Sequence, residues 1–264
     1  MARMRCPGIE ARCAARLQGK SYGLVLVVLV ALIALAAGCG ADRPADERLG
    51  PHAKLISPTT APHVVAVPRN DRDAAVLDVV SGAPTVTVRA ADLGDTLARA
   101  STPDDSSLAP SFVDTDANVQ LHLEDTGLTG PEAVIVELNQ DVAWRLRVSG
   151  GATEVTVDAG GATRVDGVDL ASGVTRAELT LPAPRGTTEV RVAGGASDVA
   201  VHLPSGPPAK VSVGNGAATV TVDGATHSGV PGGTVFAPAD WDAAGDRFDI
   251  AATSGVGTLT VDRR

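Results

Sequence analysis

Between Trp144 and Val222 apolar and polar residues alternate in short runs, and glycine-rich corners separate the runs. The unit recurs four times, as WRLRVSGGATEVTV, VDGVDLASGVTRAELTL, TEVRVAGGASDVAVHL and AKVSVGNGAATVTV. Alternation of period two predicts strands with one buried face, and a corner between two such runs predicts a pair of strands per unit. Leu146, Val168 and Val190 are 22 residues apart and Val211 follows 21 later; Val157, Leu179, Val201 and Val222 keep the same step. A repeat of about 20 residues that cannot bury its apolar side alone predicts a solenoid whose units stack. The fold expected is therefore all-β: a single-stranded right-handed parallel β-solenoid (β-helix) with turns of about 22 residues.

The polar positions test this register. Serial stacking sets Asp169 between Arg147 and Arg191, Arg176 between Glu154 and Asp198, and Lys210 over Glu189, so opposite charges meet on neighbouring strands. Gly150-Gly151, Gly194-Gly195 and Gly214/Gly216 are expected to supply positive φ at the corners and to keep them thin.

The same grammar opens at Ala74, with Leu77 and Val79, a Ser81-Gly82-Ala83 corner, then Val86 and Val88. The β-solenoid domain is accordingly placed at residues 74–264, with excursions at 90–118 and 223–247 where the alternation breaks. Arg263-Arg264, at the end of the final unit, are expected to blunt an exposed sheet edge. Residues 39–73 carry Pro44, Pro51, Pro58, Pro62 and Pro68, a spacing that predicts a semi-extended tether in which His52 and His63 are solvated.

Residues 1–38 read as a lipoprotein signal peptide. A basic start precedes the apolar run Tyr22 to Ala37, 16 residues long, or about 24 Å as a helix against the roughly 30 Å of a bilayer core. The run ends in Leu35-Ala36-Ala37-Gly38-Cys39, which resembles the lipobox of bacterial lipoproteins. That resemblance implies a diacylglyceryl (palmitate-bearing) group on Cys39, cleavage before it, and a lipid-anchored protein on the extracytoplasmic face of the cell membrane. The alternative reading of the same run is an uncleaved transmembrane anchor. Cys6 and Cys13 fall in the leader, so a mature body would hold neither a disulfide nor a thiolate metal site.

The stretch from about Ala74 to Val261, with Leu181-Pro182 and Leu203-Pro204 opening two of its turns, resembles the bacterial putative-adhesin family of β-solenoid domains. It is also similar to the C-terminal domain of cell-wall-active antibiotic-response membrane proteins. The resemblance implies a solenoid and carries no catalytic motif.

Net charge is −9 overall, while residues 1–20 carry Arg3, Arg5, Arg12, Arg16 and Lys20 against Glu10. The remaining body is thus strongly acidic, which argues against nucleic acid as a partner. No nucleophile elbow, zinc motif or phosphate loop is present, and no cofactor is expected. The weak metal candidates are Asp240, Asp242 and Asp246, three hard carboxylates on one loop without the glycine and distal glutamate of an EF-hand. Trp144 shares the parity of Leu146 and should face inward; Trp241 is the one ring expected outside, and His122 and His202 fall on outward positions without evident partners.

These features predict a non-enzymatic envelope scaffold or interaction module, joined to the membrane through Cys39 and facing envelope protein or glycan partners. A sensory accessory reporting envelope stress is the alternative, and a glycan-active enzyme a third. For the anchor, metabolic labelling with a palmitate analogue is expected to mark the wild-type chain and to disappear in Cys39→Ser; label retained in that variant overturns the assignment.

Overall fold

The computed structural model describes residues 63–115 and 118–264; the leader, Cys39 and most of the tether lie outside the described residues. Numbered along the chain, the first strands are β1 (Val64–Pro68), β2 (Ala74–Val79), β3 (Thr85–Ala91), β4 (Thr96–Ser101), β5 (Leu108–Thr115), β6 (Asn118–Asp125) and β7 (Ala133–Asn139). The repeat region contributes β8 (Ala143–Val148), β9 (Ala152–Asp158), β10 (Arg164–Leu170), β11 (Val174–Thr180), β12 (Thr187–Val192), β13 (Ala196–Leu203), β14 (Ala209–Val213) and β15 (Ala217–Val222). The chain closes with β16 (Ala225–Val230), β17 (Thr234–Phe236), β18 (Arg247–Ala252) and β19 (Val256–Arg263).

These strands form two sheets. One runs β1-β4-β7-β3-β9-β11-β13-β19-β15-β16 and the other β17-β14-β18-β12-β10-β8-β2-β6-β5. Each repeat unit gives one strand to each sheet, and pairing between units is parallel throughout the repeat region. The alternating Val, Leu and Ile side chains of both sheets meet in one core, where Trp144, Phe248, Leu170, Leu179 and Ile250 are fully buried. Trp144 faces inward as its parity requires, and its Nε1 donates to the Asn139 carbonyl at 2.9 Å. The result is an all-β, mostly parallel architecture of two packed sheets.

The stacking order departs from chain order at both ends. Val190 lies beside Ile250, and Ile250 beside Val211, so the β18–β19 unit sits between β12–β13 and β14–β15. Lys210 therefore does not stack on Glu189; it pairs with Asp249 at 2.7 Å, and Asp249 is the residue beside Glu189. The first unit is tucked in the same way, β2–β3 lying between β6–β7 and β8–β9. The cause is visible in the two excursions. Residues 90–118 hold β4 and β5, which pair antiparallel with β7 and β6; residues 223–247 hold β16 and β17, which pair antiparallel with β15 and β14. A unit that carries an antiparallel cap has no second edge to offer, so it must be terminal, and the remaining unit fills the slot behind it.

Arg263-Arg264 consequently do not guard an edge, because β19 is an interior strand. Arg263 instead pairs with Asp223 at 2.9 Å and donates to the carbonyls of Pro204 and Pro207. Ordered structure also begins ahead of Ala74: β1 pairs with β4, and His63 Nδ1 lies 2.9 Å from Thr102 Oγ1 in a half-buried contact rather than in solvent. Pro68 is compatible with a strand here because β1 has a neighbour on one side only.

The glycine corners work by close approach. Of the corner glycines expected at positive φ only Gly216 has it, at 97°. Gly194 is needed because a Cβ there would stand 2.0 Å from the Ser172 carbonyl oxygen of the next corner, and one on Gly150 would stand 2.3 Å from that of Ser81. Stacked corners also bond to each other, the Ser172 hydroxyl to the Ser149 carbonyl and the Ser254 hydroxyl to the Ala193 carbonyl at 2.6 Å. Gly194→Ala is expected to lower stability by roughly 2–4 kcal/mol in urea titrations, since main chain must move to admit the methyl. Gly151→Ala, whose Cβ would meet nothing nearer than 3.7 Å, should change stability by less than about 1 kcal/mol.

Candidate interaction surfaces

At the end of the stack where the described chain begins, the terminal strands among the described residues are β1 in one sheet and β5 in the other. The two strands lie alongside each other, and a groove of about 470 Å³ runs over their junction, lined by Val65, Ala66, Val67 and Pro68 of β1, by Ala109 to Phe112 and Asp114 of β5, and by Glu124 of β6. Val64 and Val113, 58% and 47% exposed, extend the apolar surface beyond it. One side chain staples the two edges. Arg72 donates to the Pro68 carbonyl at 2.6 Å on the β1 side and to both oxygens of Asp114 at 2.8 and 3.0 Å on the β5 side. The turn that positions it, Asn70-Asp71, has both residues in the left-handed region, φ 48° and 58°, a conformation that asparagine and aspartate tolerate better than most residues.

The outer face of the second sheet is a lattice of paired charges. Asp169 lies between Arg147 and Arg191, as the repeat predicts, with Arg147 Nε 4.0 Å from its carboxylate. Arg145 reaches past the intervening strand to Glu189 at 3.4 Å. Gly167 makes that span possible: a Cβ on it would meet an Arg145 guanidinium nitrogen at 3.3 Å and the Glu189 carbonyl oxygen at 3.0 Å. On the first sheet Arg176 lies between Glu154 and Asp198 in register. Glu137 accepts from Arg89 at 2.8 Å and from Arg99 at 3.4 Å. Exposed pairs of this kind stabilise by about 0.2–1 kcal/mol each.

His202 departs from its expected isolation. Although it points outward it is only 6% exposed, because its neighbours fold over it. Nδ1 lies 2.6 Å from Asp262, and Nε2 lies 2.8 Å from Arg264 and 3.2 Å from Glu178. Asp262 and Arg264 follow from the position of the last unit beside β13, which chain order alone does not reveal. His122 is opposite Ser111 on the β5–β6 pair.

The 240–246 loop is organised around Trp241 rather than an ion. Two cations approach its ring, Lys210 at 3.8 Å from the centroid and Arg247 at 4.3 Å, and its Nε1 donates to the Phe248 carbonyl at 2.8 Å. The ring is half-buried as a result. Arg247 Nη1 donates to the carbonyls of Trp241, Asp242 and Ala244, at 3.2, 3.1 and 3.4 Å. Asp246 accepts from the Gly186 amide at 2.6 Å, while Asp240 and Asp242 are exposed. The three carboxylates do not converge, and among the described residues no group of three His, Cys, Asp or Glu side chains is arranged to hold a metal. Nor, among those residues, is any helix long and apolar enough to cross a membrane.

No protein-family model and no curated protein sequence matches this chain. In fold it resembles the crystal structure of a putative cell adhesion protein from Clostridium sporogenes ATCC 15579, with a TM-score of 0.56 and 15% identity, over 76% of this chain and 98% of that one. A putative adhesin from Bacteroides fragilis NCTC 9343 aligns over the same shares at 10% identity and a TM-score of 0.26.

Removing the staple tests its role. Arg72→Ala is expected to cost about 1–3 kcal/mol of charge-assisted hydrogen bonding. It should also speed amide exchange in Val64–Pro68 roughly tenfold or more, with little change in β8 to β13. Unchanged exchange in β1 would show that the edges hold together without it.

Proposed function

We propose that this protein is a non-enzymatic, adhesin-like scaffold of the cell envelope. Its fold resembles that of a structure described as a putative cell adhesion protein. The observation that carries the reading is the character of the surface. Ion pairs cross neighbouring strands on the outer sheet faces, and among the described residues a largely apolar groove lies between the terminal strands β1 and β5, a surface suited to contact with a macromolecule. The histidine flanked by two carboxylates is shut away from solvent, so it cannot reach a substrate. The absence of a converging trio of ligating side chains among the described residues is in keeping with a non-catalytic role.

On this reading the paired strands are successive right-handed turns of a β-solenoid, the handedness that strand twist imposes on parallel crossovers. The lipidated Cys39 and the Pro-rich segment after it hold the domain at the extracytoplasmic face, and the partner is another envelope component, protein or glycan. Cross-linking of the full chain in intact cells, followed by affinity capture in detergent, is expected to recover a discrete adduct. Recovery of the chain alone, together with measurable hydrolysis of envelope glycans by the purified protein, would replace the scaffold with an enzyme.

A further inference from the structure

Of the four terminal strands among the described residues, three are protected against further pairing and β16 is not. β1 and β5 carry Pro68 and Pro110 and lie against each other, and β17 is only 3 residues long. Prolines, cover and shortness are the usual ways of blunting a sheet edge. β16 has 6 residues, Ala-Thr-His-Ser-Gly-Val, without proline, lysine, arginine or carboxylate. Ala225 to Gly229 are all exposed, and among the described residues only β15 packs along the strand. His227 meets Phe236 of β17 through its ring, centroids 4.7 Å apart, on the core side, where its cross-strand partner Val220 is buried.

The main-chain groups on the open side follow from the ladder. The Asp223 amide donates to the Val261 carbonyl of β19, so Thr219 and Thr221, of the same parity, bond to β19 while Val220 and Val222 bond to β16. Their partners His227 and Ala225 are therefore the bonded residues of β16, as the two-residue Asp-Gly hairpin requires. Thr226 and Ser228 turn their N–H and C=O away from β15. The surface beside this edge also changes character. In register across the last three strands stand Thr258 and Thr260, Thr219 and Thr221, then Ser228 and Thr226, whereas β11 and β13 carry Arg176, Glu178 and Asp198. The Thr221 and Thr226 hydroxyls lie 3.1 Å apart, and at the hairpin tip Asp223 is paired with Arg263 at 2.9 Å.

We propose that β16 pairs antiparallel with β16 of a second copy of this chain, across a two-fold axis at His227. The inference goes beyond the scaffold reading and does not depend on it. Inversion about His227 sets Thr226 opposite Ser228 of the other copy, so the outward amides and carbonyls bond to one another, about four hydrogen bonds in all. Charge names a second copy as the occupant. The chain is acidic, with a net charge of −9, so two copies repel unless uncharged surfaces meet, and this edge with the hydroxyl rows behind it is such a surface. The edge is also self-complementary. Pairing Thr226 with Ser228 repeats across the axis the Thr–Ser and Thr–Thr contacts that already join β15 to β16.

The test is sedimentation velocity of the purified full chain in detergent over a concentration series, where a monomer–dimer equilibrium is expected. Thr226→Pro deletes an outward amide while sparing the β15–β16 bonds. It should raise the dissociation constant roughly tenfold or more with an unchanged circular dichroism spectrum; dimers that arise from sharing a micelle are insensitive to it. Thr226→Lys sets two lysines diagonally across the axis and should weaken pairing. Adding Ser228→Glu to the same chain puts lysine opposite glutamate twice and should recover most of the loss, which a folding defect cannot do. His227→Cys should give a disulfide-linked dimer on mild oxidation, above the wild-type level, because non-bonded antiparallel partners stand about 4.5 Å apart at Cα. A monomer at every concentration, or a dimer that survives Thr226→Pro, overturns the proposal. So do species that grow past the dimer, which set β16 against a different strand of the second copy. An envelope adduct lost in Thr226→Pro while the purified chain stays monomeric makes another protein the occupant and overturns it as well. If only the self-pairing fails, the envelope adduct persists in Thr226→Pro and the scaffold reading stands.

Discussion

Every repeat unit in this domain depends on main-chain hydrogen bonding to the units stacked against it. A single pair of short strands joined by a glycine corner has too little apolar surface to offset the loss of chain entropy, so it is stable only as a layer within a stack. That requirement explains the narrow tolerances at the corners. Gly194 and Gly150 lie against the main chain of the next corner at distances no side chain could share. Because layers must lie flat on one another, the corner serine hydroxyls can bond to the neighbouring corner carbonyls.

A stack built this way has two ends with unmet hydrogen bonds, and the chain treats them alike. From each excursion it adds one antiparallel strand to each sheet, β4 and β5 at one end and β16 and β17 at the other, and lets the adjoining unit become terminal. The far cap is drawn tight by the Asp223-Gly224 turn, φ 47° and 84°, between β15 and β16. Asp-Gly in this left-handed pair is a strong hairpin signal. The near cap is stapled by Arg72. Among the described residues capping moves the terminal edges outward, to β1 and β5, which pack against each other beneath a shallow groove.

The same stacking commits part of the surface charge to structure. Arg145, Asp169, Glu189 and Lys210 are committed to partners on neighbouring strands, and Trp241 to two cations of its own domain.

Alternation and period determined much of this protein. They placed Trp144, Leu146, Val168 and Val190 inside, set Asp169 between Arg147 and Arg191, and marked residues 90–118 and 223–247 as departures from the repeat. These are local properties, since a period-two pattern dictates which face of a strand is apolar wherever that strand goes. Only tertiary structure decided which layer lies on which. Ile250 competes with Val211 for the place beside Val190, and both fit the same apolar column, so the choice falls to the cap that makes the β14–β15 unit terminal. From that choice follow the partners of Lys210, the burial of His202 under Asp262 and Arg264, and the interior position of Arg263. The groove was equally out of reach of the sequence, because β1 and β5 belong to different sheets and meet only when the stack has been closed at its end.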